Sequence, residues 1–228
     1  YLQKKENIKA SDCQLREKTV LFIGEKEGKY GKVAAQWCEY TKRQMLTFGS
    51  LSECPEETAK QSEIIVIQKE AVTTEADLDQ VLSYTDQGIS FVFCNLPDVQ
   101  TIAMSSRWRK VLGIRQIKQE DVELTGVNLF DGFLLGGQAI YQPADDKEKE
   151  ERQDLPDHLP WYLLESGCKT YMVGMLADES VKNEQLPAIL WRATVGEAKV
   201  FAVNGDYMED CTGIGFLDAM MTELHRYD

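Results

Sequence analysis

Unbroken apolar runs, rather than alternating ones, mark the first half of the chain. Thr19-Val20-Leu21-Phe22-Ile23-Gly24, Ile64-Ile65-Val66-Ile67 and Ile89-Ser90-Phe91-Val92-Phe93-Cys94 each read as a strand covered on both faces. Between the first two, Tyr30, Val33, Ala34, Trp37, Thr41, Gln44, Met45 and Phe48 step by three and four, which predicts a helical face reaching Phe48. Thr74 opens a second helix, with Leu78, Val81, Leu82 and Thr85 on one side and Gly88 at its end. A short helix from Ser106 to Leu112 stops at Gly113. This β-α-β-α-β order predicts an α/β fold, a three-layer flavodoxin-like sandwich around a mostly parallel sheet.

The second half changes character. Stretches at 120–129 and 133–142 read as strands, with Gly136-Gly137 as a turn or bulge. Residues 144–158, rich in Asp, Glu, Lys and Pro, read as a flexible acidic excursion. Lys169 to Leu176 is a further strand, and Pro187–Thr194 with Lys199–Val203 predicts a hairpin about Val195-Gly196-Glu197-Ala198. These are antiparallel additions to the sheet. Thr212 is positioned to cap a last helix striped by Phe216, Leu217, Met220, Met221 and Leu224. The expected organisation is a lead-in over 1–18 and one α/β domain over 19–228.

Composition narrows the function classes. A formal charge of −13 over 228 residues, without a Lys/Arg cluster, argues against nucleic acid and against an anionic membrane surface. The chain opens on Tyr1, without Met or a signal-like apolar stretch, so a trimmed N-terminus that once carried a signal or anchor is expected. Six cysteines occur, none in a Cys-x-x-Cys spacing, which removes zinc-knuckle and thioredoxin-like chemistry; neither metal nor cofactor is expected.

Candidate chemistry gathers where strands end. The loop Gly24-Glu25-Lys26-Glu27-Gly28-Lys29-Tyr30-Gly31 joins a strand to a helix, where phosphates are often held. Its spacing is not Gly-x-Gly-x-x-Gly, and Glu25 and Glu27 would repel a phosphate. Cys94 ends a strand at a nucleophile-elbow position, yet Phe93, Asn95 and Leu96 surround it instead of glycines. The two histidines, His158 and His225, fall in the acidic excursion and in the last helix. No catalytic residue is assigned. The candidate ligand-binding set at the carboxyl edge of the sheet is Glu25, Tyr30, Cys94, Asn95, Asp98, Asn204 and Asp206. Glu25, Asp98 and Asp206 all follow strands and offer paired carboxylates for acid–base hydrolysis of a carbohydrate or ester. The plainer reading of Asn204-Gly205-Asp206 is a turn with a helix cap behind it.

The segment Leu78-Asp79-Gln80-Val81-Leu82-Ser83-Tyr84-Thr85-Asp86-Gln87-Gly88-Ile89-Ser90-Phe91-Val92-Phe93 resembles the helix–glycine–strand unit of class I glutamine-amidotransferase-like domains. Ala188 through Asp206 is similar to the closing hairpin and strand of that group, in particular its non-catalytic members attached to glycosidases and bacterial envelope proteins. Active members carry a glycine-flanked Cys and a His-x-Glu; here Cys94 lacks the glycines and Asn204-Gly205-Asp206 stands where the His would fall. The resemblance therefore implies the fold and argues against the amidotransferase reaction. The chain is also similar to the extracytoplasmic region of a bacterial family found with exopolysaccharide-synthesis genes. That implies a non-catalytic binding or scaffolding domain of a larger envelope protein, with polysaccharide or another envelope protein as partner. The expected location is extracytoplasmic, with the cytoplasm as the alternative; the alternative function is a hydrolase using the acidic residues of the sheet edge.

Overall fold

A computed structural model describes residues 19–130, 133 and 158–226. The lead-in, the 133–142 strand apart from Phe133, the Gly136-Gly137 turn and the acidic excursion apart from His158 lie outside the described residues. In strand β1 (Thr19–Ile23), Val20 and Phe22 pack to one side and Leu21 and Ile23 to the other, all fully buried. Strand β3 (Ile64–Ile67) divides in the same way. This two-sided burial is why the apolar runs do not alternate.

Eight strands form the main sheet in the order β2-β1-β3-β4-β10-β9-β8-β6. These are β2 (Gln44–Phe48), β4 (Phe91–Phe93), β6 (Gly126–Leu129), β8 (Lys169–Met175), β9 (Ala188–Val195) and β10 (Ala198–Val203) beside β1 and β3. The β2, β1, β3, β4 and β10 strands run parallel to one another, and β9, β8 and β6 continue antiparallel. Helices α1 (Lys29–Tyr40) and α6 (Asp210–Leu224) cover one face. Helices α2 (Glu56–Gln61), α3 (Glu75–Asp86), α4 (Val99–Met104) and α5 (Ser106–Leu112) cover the other. The result is the expected three-layer, flavodoxin-like α/β sandwich.

The helix predicted through Phe48 ends at Tyr40. Lys42 takes a left-handed φ of 56° and Arg43 N–H bonds Cys38 O at 2.8 Å, which turns the chain back. Residues 44–48 then pair with β1 as its parallel neighbour. A five-residue edge strand is too short for spacing to separate it from one more helical turn. The predicted 120–129 strand is two: β5 (Ile114–Glu123) and β6, broken at Leu124-Thr125. β5 pairs with β7 (His158–Leu164) in a separate two-stranded antiparallel sheet. Most of its side chains are exposed, so no apolar rhythm announces it. Residue Thr212 does not cap α6, whose N-cap is Glu209.

Helix α3 begins as the sequence reads. Thr74 Oγ1 accepts from Asp77 N and Asp77 reaches back to Thr74 N, a capping box. Thr74→Ala is expected to lower stability by about 1 kcal/mol, read from urea denaturation. Burial pushes the Asp77 carboxyl up, but the hydrogen bonds that Thr73 N–H, Thr73 Oγ1 and Thr74 N–H donate to Oδ2 outweigh it and hold it below its ordinary value. Its contribution is therefore complete above the unfolded-state value of about 3.9 and is lost as pH falls through the lower folded-state value.

Candidate functional site

Glu25, Gln68, Cys94 and Asn204 follow β1, β3, β4 and β10, so all four sit along the carboxyl edge of the parallel strands. The ladder continues into them: Gln68 N–H donates to Ile23 O and Cys94 N–H to Ile67 O. The edge holds two polar groups, one over β10 and one over β1, β3 and β4.

Over β10, Asp206 is clasped by the first turn of α1. Tyr30 Oη donates to Asp206 Oδ1 at 2.9 Å, and Lys29 Nζ bonds both Asp206 Oδ2 and, at 2.6 Å, Glu209 Oε1. Burial pushes the Asp206 carboxyl up, yet its contacts with Lys29, Glu209 and Tyr30 outweigh that and hold it below the usual carboxylate value. Burial first, and then the hydrogen bond to Asp206 and its charge, raises the Tyr30 phenol well above its ordinary value. Lys29, Asp206 and Glu209 remain close to half exposed, so the cluster faces solvent.

Over the other strands, Gln68 Oε1 accepts from Glu25 N–H at 2.7 Å. The carboxamide lies so close that a Cβ on Gly24 would meet Oε1 at 2.2 Å, which accounts for glycine there. Asn95 Oδ1 accepts from Lys69 N–H at 2.9 Å, and Asn95 Nδ2 reaches both oxygens of Glu70 at 3.1 Å.

The remaining candidates have structural engagements. Cys94 is 1% exposed; burial foremost, with the Glu70 charge adding to it, pushes its thiol up to about 12. Asp98 caps α4 by accepting from Thr101 N–H at 2.8 Å, and Thr101 holds its carboxyl below the ordinary value. Asn204 is buried, and its Nδ2 donates to Pro160 O at 2.9 Å and Ala188 O at 3.4 Å, tying β7 to β9. Gly205 has a φ of 97°, the turn conformation expected for Asn-Gly-Asp.

The structure thus brings Tyr30 to Asp206, whereas no hydrogen bond joins any two of Glu25, Asp98 and Asp206. His225 Nε2 lies 2.8 Å from Glu63 Oε1 at the amino end of β3, and His158 Nδ1 lies 3.0 Å from Asp121 on the small sheet. Lys29, Gln68 and Glu70 were not singled out by sequence. Gln68 carries the signal that singles out Glu25 and Cys94, a polar residue directly after a buried strand. Among the described residues no group of three or more His, Cys, Asp or Glu side chains could hold a metal, and no helix is long and apolar enough to cross a membrane.

No protein-family model matches the chain, and no curated protein matches it. Among solved structures it is similar to a cytoplasmic protein of Salmonella typhimurium LT2, at TM-score 0.56 and 12% identity over 91% of this chain and 100% of that one. It is similar to part of a β-galactosidase from Rahnella sp. R3, at TM-score 0.53 and 13% identity over 92% of this chain. It is likewise similar to part of an exo-β-1,4-mannosidase from an Opitutaceae bacterium, strain TAV5, at TM-score 0.51 and 12% identity over 99% of this chain. The chain spans 32% of the galactosidase and 39% of the mannosidase. At such identities the likeness is one of fold: an α/β sandwich that occurs alone and as one part of larger carbohydrate-acting enzymes.

Proposed function

We propose that the chain is a non-catalytic saccharide-binding or scaffolding domain of a larger bacterial cell-envelope protein, acting in polysaccharide synthesis or modification. The observation that carries this reading is the state of Cys94. At the position where an amidotransferase-like fold holds its nucleophile, this side chain is buried, neutral and without the glycines of an elbow. Around it, Asn95, Asp98 and Asn204 hold loops and helix ends together, which is what an edge shaped for binding requires. Similarity to parts of a β-galactosidase and a mannosidase supports the carbohydrate setting. The partner is polysaccharide or another envelope protein, in keeping with a net charge of −13 that disfavours nucleic acid. Placement outside the cytoplasm belongs to the same proposal; the Salmonella neighbour, described as cytoplasmic, shares the fold without sharing that placement.

One observation favours a hydrolase instead: Lys29 bridges two carboxylates, Asp206 and Glu209. Against it, Asp206 is held below the usual range, so it carries no proton at neutral pH with which to act as a general acid. A thermal-shift screen against oligosaccharides, nucleotides and divalent metals tests the main reading. A saccharide present at a hundred times its Kd is expected to add about 2.7 kcal/mol of stability and a clear rise in Tm. A response to nucleotides alone, or none to any saccharide, refutes saccharide binding.

A further inference from the structure

The chain leaves β1 for β2 through α1 on one face, then reaches β3 through α2 on the other. Crossovers that diverge to opposite faces leave a crevice outside the carboxyl ends of the strands between them. That crevice exists here as a cleft of about 420 Å³ lined by Gly24, Glu25, Gly49, Gln68, Glu70 and Ala71. Its volume lies within the ~300–1,000 Å³ of small-molecule sites.

We infer that this cleft is the saccharide subsite, taking a single sugar ring through its hydroxyl groups; the inference rests on the saccharide-binding reading above. The floor is Gln68, 8% exposed. Its Oε1 is taken by Glu25 N–H, which directs Nε2 away from the backbone. That Nε2 finds no acceptor among the described residues and is not sealed from solvent, so it presents a donor to the cleft. The walls are two carboxylates. Glu70 is oriented by Asn95 Nδ2 on both its oxygens, and the exposed Glu25 side chain has no donor among the described residues.

This donor and acceptor pattern selects among ligands. The carboxylates repel a phosphate or another anion. A bare divalent cation would want more oxygen ligands and would face the Gln68 N–H instead of its carbonyl. Hydroxyl groups fit both partners, since each donates to a carboxylate in a charge-assisted bond while its lone pairs accept from the amide. Adjacent ring hydroxyls supply that combination at fixed spacing.

The test is saturation-transfer NMR on the intact chain with methyl glucoside, methyl galactoside and methyl mannoside, beside calorimetry with calcium chloride. Gln68→Glu keeps the acceptor for Glu25 N–H and removes the cleft donor, and is expected to weaken sugar binding at least tenfold. Glu25→Gln, an exposed change that breaks no side-chain bond, covers the case in which the first variant does not fold, and should weaken binding by a similar factor. Sugar binding that persists undiminished in both variants overturns this subsite and leaves the saccharide reading standing. Calcium binding with no sugar binding to the unsubstituted chain overturns both.

Discussion

Native Cys94 is expected to react with iodoacetamide at pH 8 at least about a thousandfold more slowly than the same thiol in urea. Only the thiolate attacks, and a thiol pushed up to about 12 is roughly one ten-thousandth ionised at that pH, against about a quarter for an ordinary one near 8.5. With 1% of the side chain exposed, access slows the reaction further. Peptide-resolved mass spectrometry follows each cysteine separately, so labelling elsewhere does not confuse the result. An activated nucleophile has the opposite character: its pKa is depressed and it stands open to substrate. Rapid labelling of Cys94 in the folded chain would restore covalent chemistry at this edge and remove the main support for a non-catalytic domain.

The largest loss of stability is expected from Trp191→Ala. Trp191 is fully buried on β9; its Nε1 donates to Leu112 O at 2.8 Å, at the end of α5, and its ring meets Tyr162 of β7 edge-on, 6.4 Å between centroids. One side chain thus fastens the main sheet, a helix and the two-stranded sheet together. Removing it costs about 3–5 kcal/mol from lost burial and the cavity left behind. Trp191→Phe keeps most of the apolar contact and orphans the Leu112 carbonyl, for about 1–3 kcal/mol. Urea midpoints at unchanged m-value measure both. A loss below about 1 kcal/mol for Trp191→Ala would mean that the small sheet and α5 are not held to the core as described.

What the sequence made legible follows from burial. Strands covered on both faces, such as Ile64–Ile67, declare themselves as unbroken apolar runs, and α3 announces its start through the Thr74 and Asp77 pair. The parallel strands β1, β3 and β4 could therefore be read directly. β5 could not, because nine of its ten residues are exposed or half-exposed in no regular rhythm and its partner β7 lies 35 residues beyond its end. β2 was hidden for a different reason: Met45 and Phe48 fall at a spacing that continues the α1 stripe, and the break rests on the left-handed turn at Lys42. Short polar-flanked helices such as α2 and α4 have too few turns to show a period.

The candidate site divides along the same line. Strand ends named the positions at the sheet edge, but not which side chains face solvent there. Asp98 and Asn204 are drawn into caps and interstrand bonds, whereas Asp206 is held in the open by Lys29 and Tyr30 from a helix some 175 residues away in sequence. Gln68 was overlooked because an amide after a strand looks like ordinary loop chemistry. Its role comes from the close approach of Gly24, which no residue spacing records.

Ligand-observed NMR on the protein mixed with gluco-, galacto- and manno-oligosaccharides, followed over a day, tests the central claim most directly. Saturation transfer to at least one saccharide whose own spectrum stays unchanged throughout is the predicted result: binding at the sheet edge without turnover. New reducing-end signals that disappear in Asp206→Ala would contradict it and make this edge a hydrolase site, and transfer to none of the saccharides would contradict the carbohydrate reading itself.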